Sequence, residues 1–162
     1  MKAQDNTDDI KLDEIDYKIL EELQNDAHIK KNLLAEKVGL SLPSTIDRVL
    51  RLEAHGYITS YTTVLNYKKL KYDITCFIFV RSDSSNHYPQ IIQSALKEKE
   101  VLECHSVTGE GSHILKIRTH NTTTLEKLLA KIQAWPGVTA TRSSIVLSSP
   151  KETTNIYLNN KS

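Results

Sequence analysis

The chain has 162 residues, which is enough for one ordinary domain or two small ones. Its apolar share of 39% and charged share of 25% are typical of globular proteins and exclude the disordered class. The net charge of +1 gives the whole molecule no strong preference for nucleic acid or membranes. Because no apolar run approaches the length of a membrane span or a signal peptide, we expect a cytoplasmic protein without a membrane partner.

The first sixty residues have the hydrophobic periodicity of three short helices. Residues 1–11 are polar and aperiodic, and we interpret them as a flexible tail. Gly39 is expected to end the second helix, and Ser41 to cap the third. The sequence therefore predicts a compact helical domain over residues 12–60. Its predicted inward-facing residues are Ile15, Ile19, Leu23, Leu34, Ala35, Val38, Ile46, Val49, Leu50 and Leu52.

The pattern changes in the second half of the chain. Residues 61–72 are predicted to be an extended linker, and residues 73–158 alternate between strand and helix signals. Strands are predicted at 74–80, 101–108, 113–118 and 138–147, with helices at 88–99 and 125–132. The order β-α-β-β-α-β is that of the ferredoxin-like sandwich. We thus expect an α+β protein, with a three-helix (winged) helix-turn-helix followed by a ferredoxin-like domain, in which residues 156–158 could add an edge strand.

Residues 38–41 have the form of a helix-turn-helix turn, since a glycine lies between two apolar residues and a capping serine follows. Hydroxyls near the start of the third helix and arginines further along it could read base edges and bind phosphate. Lysines at the start of the second helix would favour a phosphate through their charge and the helix dipole. A solvated helical bundle would show the same periodicity. The candidate DNA-binding residues are Lys30, Lys31, Ser41, Ser44, Thr45, Arg48 and Arg51.

Motifs in both halves of the chain point to one family. They are Leu12-Asp13-x-x-Asp16-x-x-Ile19-Leu20, Leu34-Ala35-x-x-Val38-Gly39-Leu40-Ser41, Arg48-Val49-x-Arg51-Leu52-Glu53-x-x-Gly56-Tyr57-Ile58, Val107-Thr108-Gly109 and Pro136-Gly137-Val138. Together they resemble the leucine-responsive/asparagine (Lrp/AsnC) family of transcription regulators over about residues 12–158. The resemblance implies double-stranded DNA as a partner and a sensing domain that pairs its sheets into homodimers. It also implies further assembly of dimers into tetramers or octameric rings, and a small-molecule effector, commonly an amino acid, bound between dimers.

The chain departs from the family pattern in two places. The family usually has proline directly after the capping serine, whereas Leu42 intervenes here, so the operator sequence cannot be inferred by analogy. The family's effector turn usually reads Gly-Asp-x-Asp-aromatic, and residues 109–113 here read Gly-Glu-Gly-Ser-His. A carboxylate is the natural partner of an ammonium group, so the missing acid predicts a weak response to neutral amino acids.

The candidate effector-binding residues lie in and beside this turn, although a plain hairpin turn would also use such glycines. They are Thr108, Gly109, Glu110, Gly111, Ser112, Thr141 and Ser143.

Other functions were weighed against a DNA-binding regulator. A metal site would use Cys104, His105 and His113, but the first two are neighbours on a strand and point to opposite faces, so we expect no metal and no other cofactor. An enzyme resembling the siroheme decarboxylases would need a basic pocket built from His105, His113 and Arg118. A third hypothesis is a stand-alone module that senses amino acids and acts on another protein. We expect a regulator and not an enzyme.

Overall fold

The computed structural model describes residues 10–158, so residues 1–9 of the predicted tail lie outside the described part. The chain divides into two compact units, one containing residues 10–64 and 152–158 and the other residues 65–151. The sequence groups residues 152–158 with the second domain, whereas the structure groups them with the first. The Ile156 N–H donates to Gln24 Oε1 at 2.8 Å, and Gln24 Nε2 donates to the Ile156 carbonyl at 3.2 Å. Residues 156–158 form no strand, so the predicted edge strand is wrong.

Residues at the helix ends determine where the three helices of the first unit begin and end. Helix α1 spans Glu14–Asn25, α2 spans Lys31–Val38 and α3 spans Leu42–Ala54. Gly39 ends α2 with a φ of 73°, a conformation that costs glycine little, and the Ser41 hydroxyl accepts from the Ser44 N–H at the start of α3. The three helices enclose an apolar core of Ile19, Leu23, Ile29, Leu34, Val38, Val49 and Leu52.

The buried face of α3 differs from the predicted one. Val49 and Leu52 are buried as predicted, but Ile46 and Leu50 are 37% and 55% exposed, and Thr45 is fully buried. Thr45 can occupy an interior position because its hydroxyl donates to the Ser41 carbonyl at 3.0 Å. The helix is therefore rotated from its predicted orientation and presents two large apolar side chains to solvent.

The second unit is a four-stranded antiparallel sheet with two helices. Its elements in chain order are β1 (Ile74–Ser82), α4 (Tyr88–Lys97), β2 (Val101–Ser106), β3 (His113–Thr119), α5 (Thr122–Gln133) and β4 (Val138–Ile145). The strand order is β2-β3-β1-β4. This is the predicted β-α-β-β-α-β arrangement, so the α+β class with a ferredoxin-like domain is confirmed.

Helices α4 and α5 pack on one face of this sheet. The core there contains Cys76, Ile78, Val80, Ile91, Ala95, Leu115, Ile117, Leu125, Leu128, Ile132 and Trp135. The opposite face carries Phe77 and Phe79 of β1, with Phe79 paired in register with Ile114 of β3. None of the helices described between residues 10 and 158 has the length and apolar content of a membrane span.

Candidate nucleic-acid interface and effector turn

An ion-pair network joins α1 to α3. The fully buried carboxylate of Asp16 accepts from Arg48 Nη1 at 2.8 Å and from Arg51 Nη2 at 2.9 and 2.7 Å. Arg48 Nη1 also contacts both carboxylate oxygens of Asp13, each at 2.8 Å. The Asp16 N–H, helped by the guanidinium of Arg48, holds the pKa of Asp13 below its usual value, and the two carboxylates raise the pKa of Arg48. The network therefore holds both arginines against α1.

This arrangement changes the predicted DNA-contacting face of α3. Thr45 is enclosed in the core, so its predicted contact with DNA is wrong. The Arg48 side chain is 25% exposed and is bound by two carboxylates, so this candidate DNA-contacting residue is engaged within its own unit. Arg51 keeps 41% of its side chain exposed, and Ser41 and Ser44 lie exposed at the start of α3 with their hydroxyls 2.8 Å apart. For these last three residues, contact with DNA stays a prediction.

The start of α2 is basic and carries no acidic residue in its first turn. Lys30 is the N-cap and makes no side-chain capping hydrogen bond, while Lys31 is the first helical residue, and both are exposed. Helix α1, in contrast, begins with Glu14 and Asp16 in its first turn. The positive end of the helix dipole and the lysine charges both make the start of α2 a favourable position for an anion.

The turn between β2 and β3 carries most of the candidate effector residues. Thr108, Gly109 and Glu110 are exposed. Glu110 Oε2 lies 2.7 Å from Arg142 Nη1, and both side chains are largely exposed. Because an exposed ion pair exchanges easily with solvent and other ions, the Glu110 carboxylate remains accessible to a cationic group.

Other residues of the predicted effector site are engaged within the unit. Ser112 is buried, and its hydroxyl donates to the Val80 carbonyl at 3.2 Å. A Cβ at Gly111 would lie 3.0 Å from the same carbonyl oxygen, a tight contact that a larger residue could make only if the backbone shifted slightly. The Thr141 hydroxyl accepts from Gln133 Nε2 at 3.0 Å, and Ser143 is exposed on β4. The serine that replaces the family's second acid therefore points inward.

His113, which stands where the family's effector turn has an aromatic residue, is fully buried. Its ring packs edge-on to Tyr88 with centroids 4.9 Å apart, and its Nδ1 lies 2.9 Å from the Ser112 hydroxyl. Its Nε2 is buried without a hydrogen-bond partner. Burial lowers the pKa of His113 below its usual value, because the interior disfavours the charged ring.

The unfolded chain therefore takes up a proton near pH 6.5 that the folded chain resists, and the stability associated with His113 is present above that pH and lost as the pH falls. His113→Phe should keep the packing against Tyr88 and remove the unpaired nitrogen. Because the variant also loses the contact between Nδ1 and the Ser112 hydroxyl, we expect the free energy of unfolding at pH 7.5 to change by no more than about 1 kcal/mol. The decline of this free energy below pH 6.5 should become flatter. Thermal melts from pH 7.5 to 5.5 measure this, with exposed His105→Gln as the control. An unchanged pH dependence in His113→Phe would contradict the assignment.

The three residues that a siroheme-decarboxylase-like enzyme would need do not lie together in one pocket. His105 pairs in register with Ile114 and lies on the sheet face opposite α4 and α5, whereas His113 points toward the helices. Arg118 lies on the same face as His105, with its guanidinium 3.5 Å from the centroid of the Tyr67 ring. The sheet thus separates His113 from the other two. Within residues 10–158, no group of three His, Cys, Asp or Glu side chains is arranged to hold a metal ion.

Comparisons with known proteins agree for both units. A family model described as winged helix-turn-helix DNA-binding matches residues 12–59, and one described as Lrp/AsnC ligand binding domain matches residues 75–156. HTH-type transcriptional regulator FL11 of Pyrococcus horikoshii is 33% identical over 147 residues, covering 91% of this chain and 97% of that protein. The leucine-responsive regulatory protein of Escherichia coli (strain K12) is 34% identical over 152 residues, covering 91% and 92%. A transcriptional regulator from Neisseria meningitidis, solved as a complex with L-Met, has a TM-score of 0.88 at 29% identity, covering 92% and 98%.

A helix-turn-helix unit followed by a ferredoxin-like ligand-binding unit defines a DNA-binding transcription regulator. The chain belongs to the Lrp/AsnC family, as its sequence motifs predict. The named relatives are themselves transcription regulators.

Proposed function

We propose that this regulator binds specific duplex DNA as a homo-oligomer in the cytoplasm, through the start of α2 and the exposed side of α3, and that it catalyses no reaction. The observation that carries the proposal is the exposed, acid-free and basic start of α2, followed across the Gly39 turn by α3. In helix-turn-helix proteins the first helix of this pair crosses the DNA backbone and the second enters the major groove. Lysines at the start of α2 are then positioned to contact phosphate.

A footprint on the DNA upstream of the protein's own coding region tests this function, since regulators of this type often control themselves. We expect protection of one or more short sites, and loss of the footprint when the protected sequence is scrambled at constant base composition. Equal affinity for protected and scrambled duplexes at physiological salt would contradict sequence-specific binding.

Assembly is proposed to use the sheet face opposite α4 and α5. A second copy of the chain is needed because one helix-turn-helix unit is too small to hold two recognition helices in register. The proposed sheet face is apolar, since it carries Phe77, Phe79 and Ile114. Phe79, whose ring lies 4.6 Å from the Arg142 guanidinium carbon, is central to this surface. We expect the full chain to be at least dimeric by light scattering, and Phe79→Asp to dissociate it.

Leu96→Asp, on the exposed side of α4, is the matched control and should leave assembly intact. A wild-type monomer at micromolar concentration, or equal dissociation by both variants, would contradict the proposed interface.

An effector is proposed to bind at the β2–β3 turn, with the Glu110 carboxylate as partner for a cationic group. The L-Met complex of the Neisseria relative supports an amino acid as the class to test first. Because Ser112 points inward and supplies no second acid, we expect only a weak thermal shift with L-methionine at millimolar concentration, and its loss in Glu110→Gln. Glu126→Gln, exposed on α5, should retain the shift. A shift that survives in Glu110→Gln would place the effector elsewhere.

A further inference from the structure

The exposed side of α3 carries a row of large apolar side chains. Leu42, Ile46 and Leu50 are 42%, 37% and 55% exposed, and their spacing of four residues places them along one side of the helix. The sequence pattern assigns Ile46 and Leu50 to the core, which is already filled from the other side of α3 by Thr45, Val49 and Leu52. The row is therefore available for a partner.

An acidic residue lies beside this row. Asp47 is exposed, and among residues 10–158 the structure shows it in no ion pair, whereas both arginines of α3 are bound to α1. A carboxylate on a helix that approaches DNA is repelled by phosphates and by acceptor groups on base edges. It is favourable where a base presents a hydrogen-bond donor, and the cytosine N4 amino group is such a donor in the major groove.

The chemistry of the major groove also accounts for the apolar row. The C5-methyl of thymine is an apolar group on the base edges there, and aliphatic side chains contact it. The row is continuous with the surface through which a helix-turn-helix unit binds DNA, since Ser44 and the α3 N-terminus lie at its beginning. We propose that Asp47 selects a cytosine and that Ile46 and Leu50 contact thymine methyl groups beside it. This assignment of base readout rests on the DNA-binding function proposed above.

Selection from a library of random duplexes by the full-length protein tests the assignment. Wild type should enrich a half-site with a cytosine next to thymines. Asp47→Asn should move the preference at that one position from cytosine to adenine by about tenfold, because an amide pairs with the adenine N6 and N7 atoms. Glu21→Ala, an exposed acid of α1, should keep the wild-type preference.

The methyl contacts are tested on the selected duplex with thymine replaced by uracil, which lacks the C5-methyl. Each contacted methyl should cost wild type about fourfold in affinity, and Leu50→Ala should lose that sensitivity at one position while its melting temperature stays near that of wild type. Unchanged wild-type affinity for uracil duplexes, or an unchanged base preference in Asp47→Asn, would overturn the proposal.

Two other outcomes are distinguishable. If Leu50→Ala changes the oligomeric state and keeps the uracil sensitivity, the row is a protein–protein contact and the proposal is overturned. If wild type enriches no duplex at all, the DNA-binding function itself fails together with the proposal.

Discussion

Asp16→Ala should lower the free energy of unfolding by about 3 kcal/mol, the range expected when one partner is removed from a buried ion pair. The Asp16 carboxylate accepts from Arg48, from Arg51 and, at 3.1 Å, from the Asp13 N–H. Its loss leaves two like-charged guanidinium groups side by side and removes half of the capping box that begins α1. Urea unfolding followed by circular dichroism measures the change.

Glu21→Ala is the matched control, because it removes an exposed acid from the same helix and should change stability by no more than about 0.5 kcal/mol. Arg48→Ala should also destabilise the unit, because it removes one of the partners of the buried Asp16 carboxylate. Equal unfolding curves for Asp16→Ala and Glu21→Ala would show that the network contributes nothing to stability.

The second large effect is expected on DNA affinity. Replacing Lys30 and Lys31 together by alanine should weaken binding to every duplex alike, by about tenfold for each lost phosphate contact at 0.1 M salt. The slope of log affinity against log salt should become less steep by about 0.9 for each contact, because fewer counterions are released. The helix dipole is unchanged in this variant, so the loss reports the lysine charges. Titration of one operator and one unrelated duplex at several salt concentrations measures both quantities.

Lys18→Ala is the matched control, since it removes an exposed lysine from α1. The assignment of α2 would be contradicted if the double variant lost no more affinity than this control. A loss confined to the operator, with the unrelated duplex unaffected, would instead mean that the lysines read bases and do not contact phosphates alone.

The helices of the first unit illustrate what local sequence can determine. Ser41 and Gly39 act on backbone groups within four residues of themselves, so their roles as cap and terminator follow from the sequence around them. The strand signal of β3 likewise depends on neighbours along the chain, and the strand predicted at 113–118 corresponds to β3 at His113–Thr119. The family motifs extend over both units and lead to the same class of regulator.

The orientation of α3 could not be decided in this way. Ile46 and Leu50 fit an apolar face as well as Val49 and Leu52 do, and periodicity assigns hydroxyl-bearing residues to solvent. The buried set depends on Thr45, whose hydroxyl is satisfied by a backbone carbonyl one turn earlier. The signal that could have identified it is this local hydrogen bond, which is within reach of a threonine four residues after a helix cap.

The sequence by itself determined the element order, the roles of Gly39 and Ser41 at helix ends, the α+β class and the family, because each depends on short-range spacing or on motifs along the chain. The tertiary structure alone decided which charges meet and which side chains remain free. Asp16 lies 32 residues before Arg48, Ser112 lies 32 residues after the carbonyl of Val80 that its hydroxyl contacts, and Ile156 lies 132 residues after Gln24. Such partners are brought together only when whole elements pack against each other. Periodicity along the chain therefore cannot distinguish an arginine that is free at the surface from one that forms an ion pair.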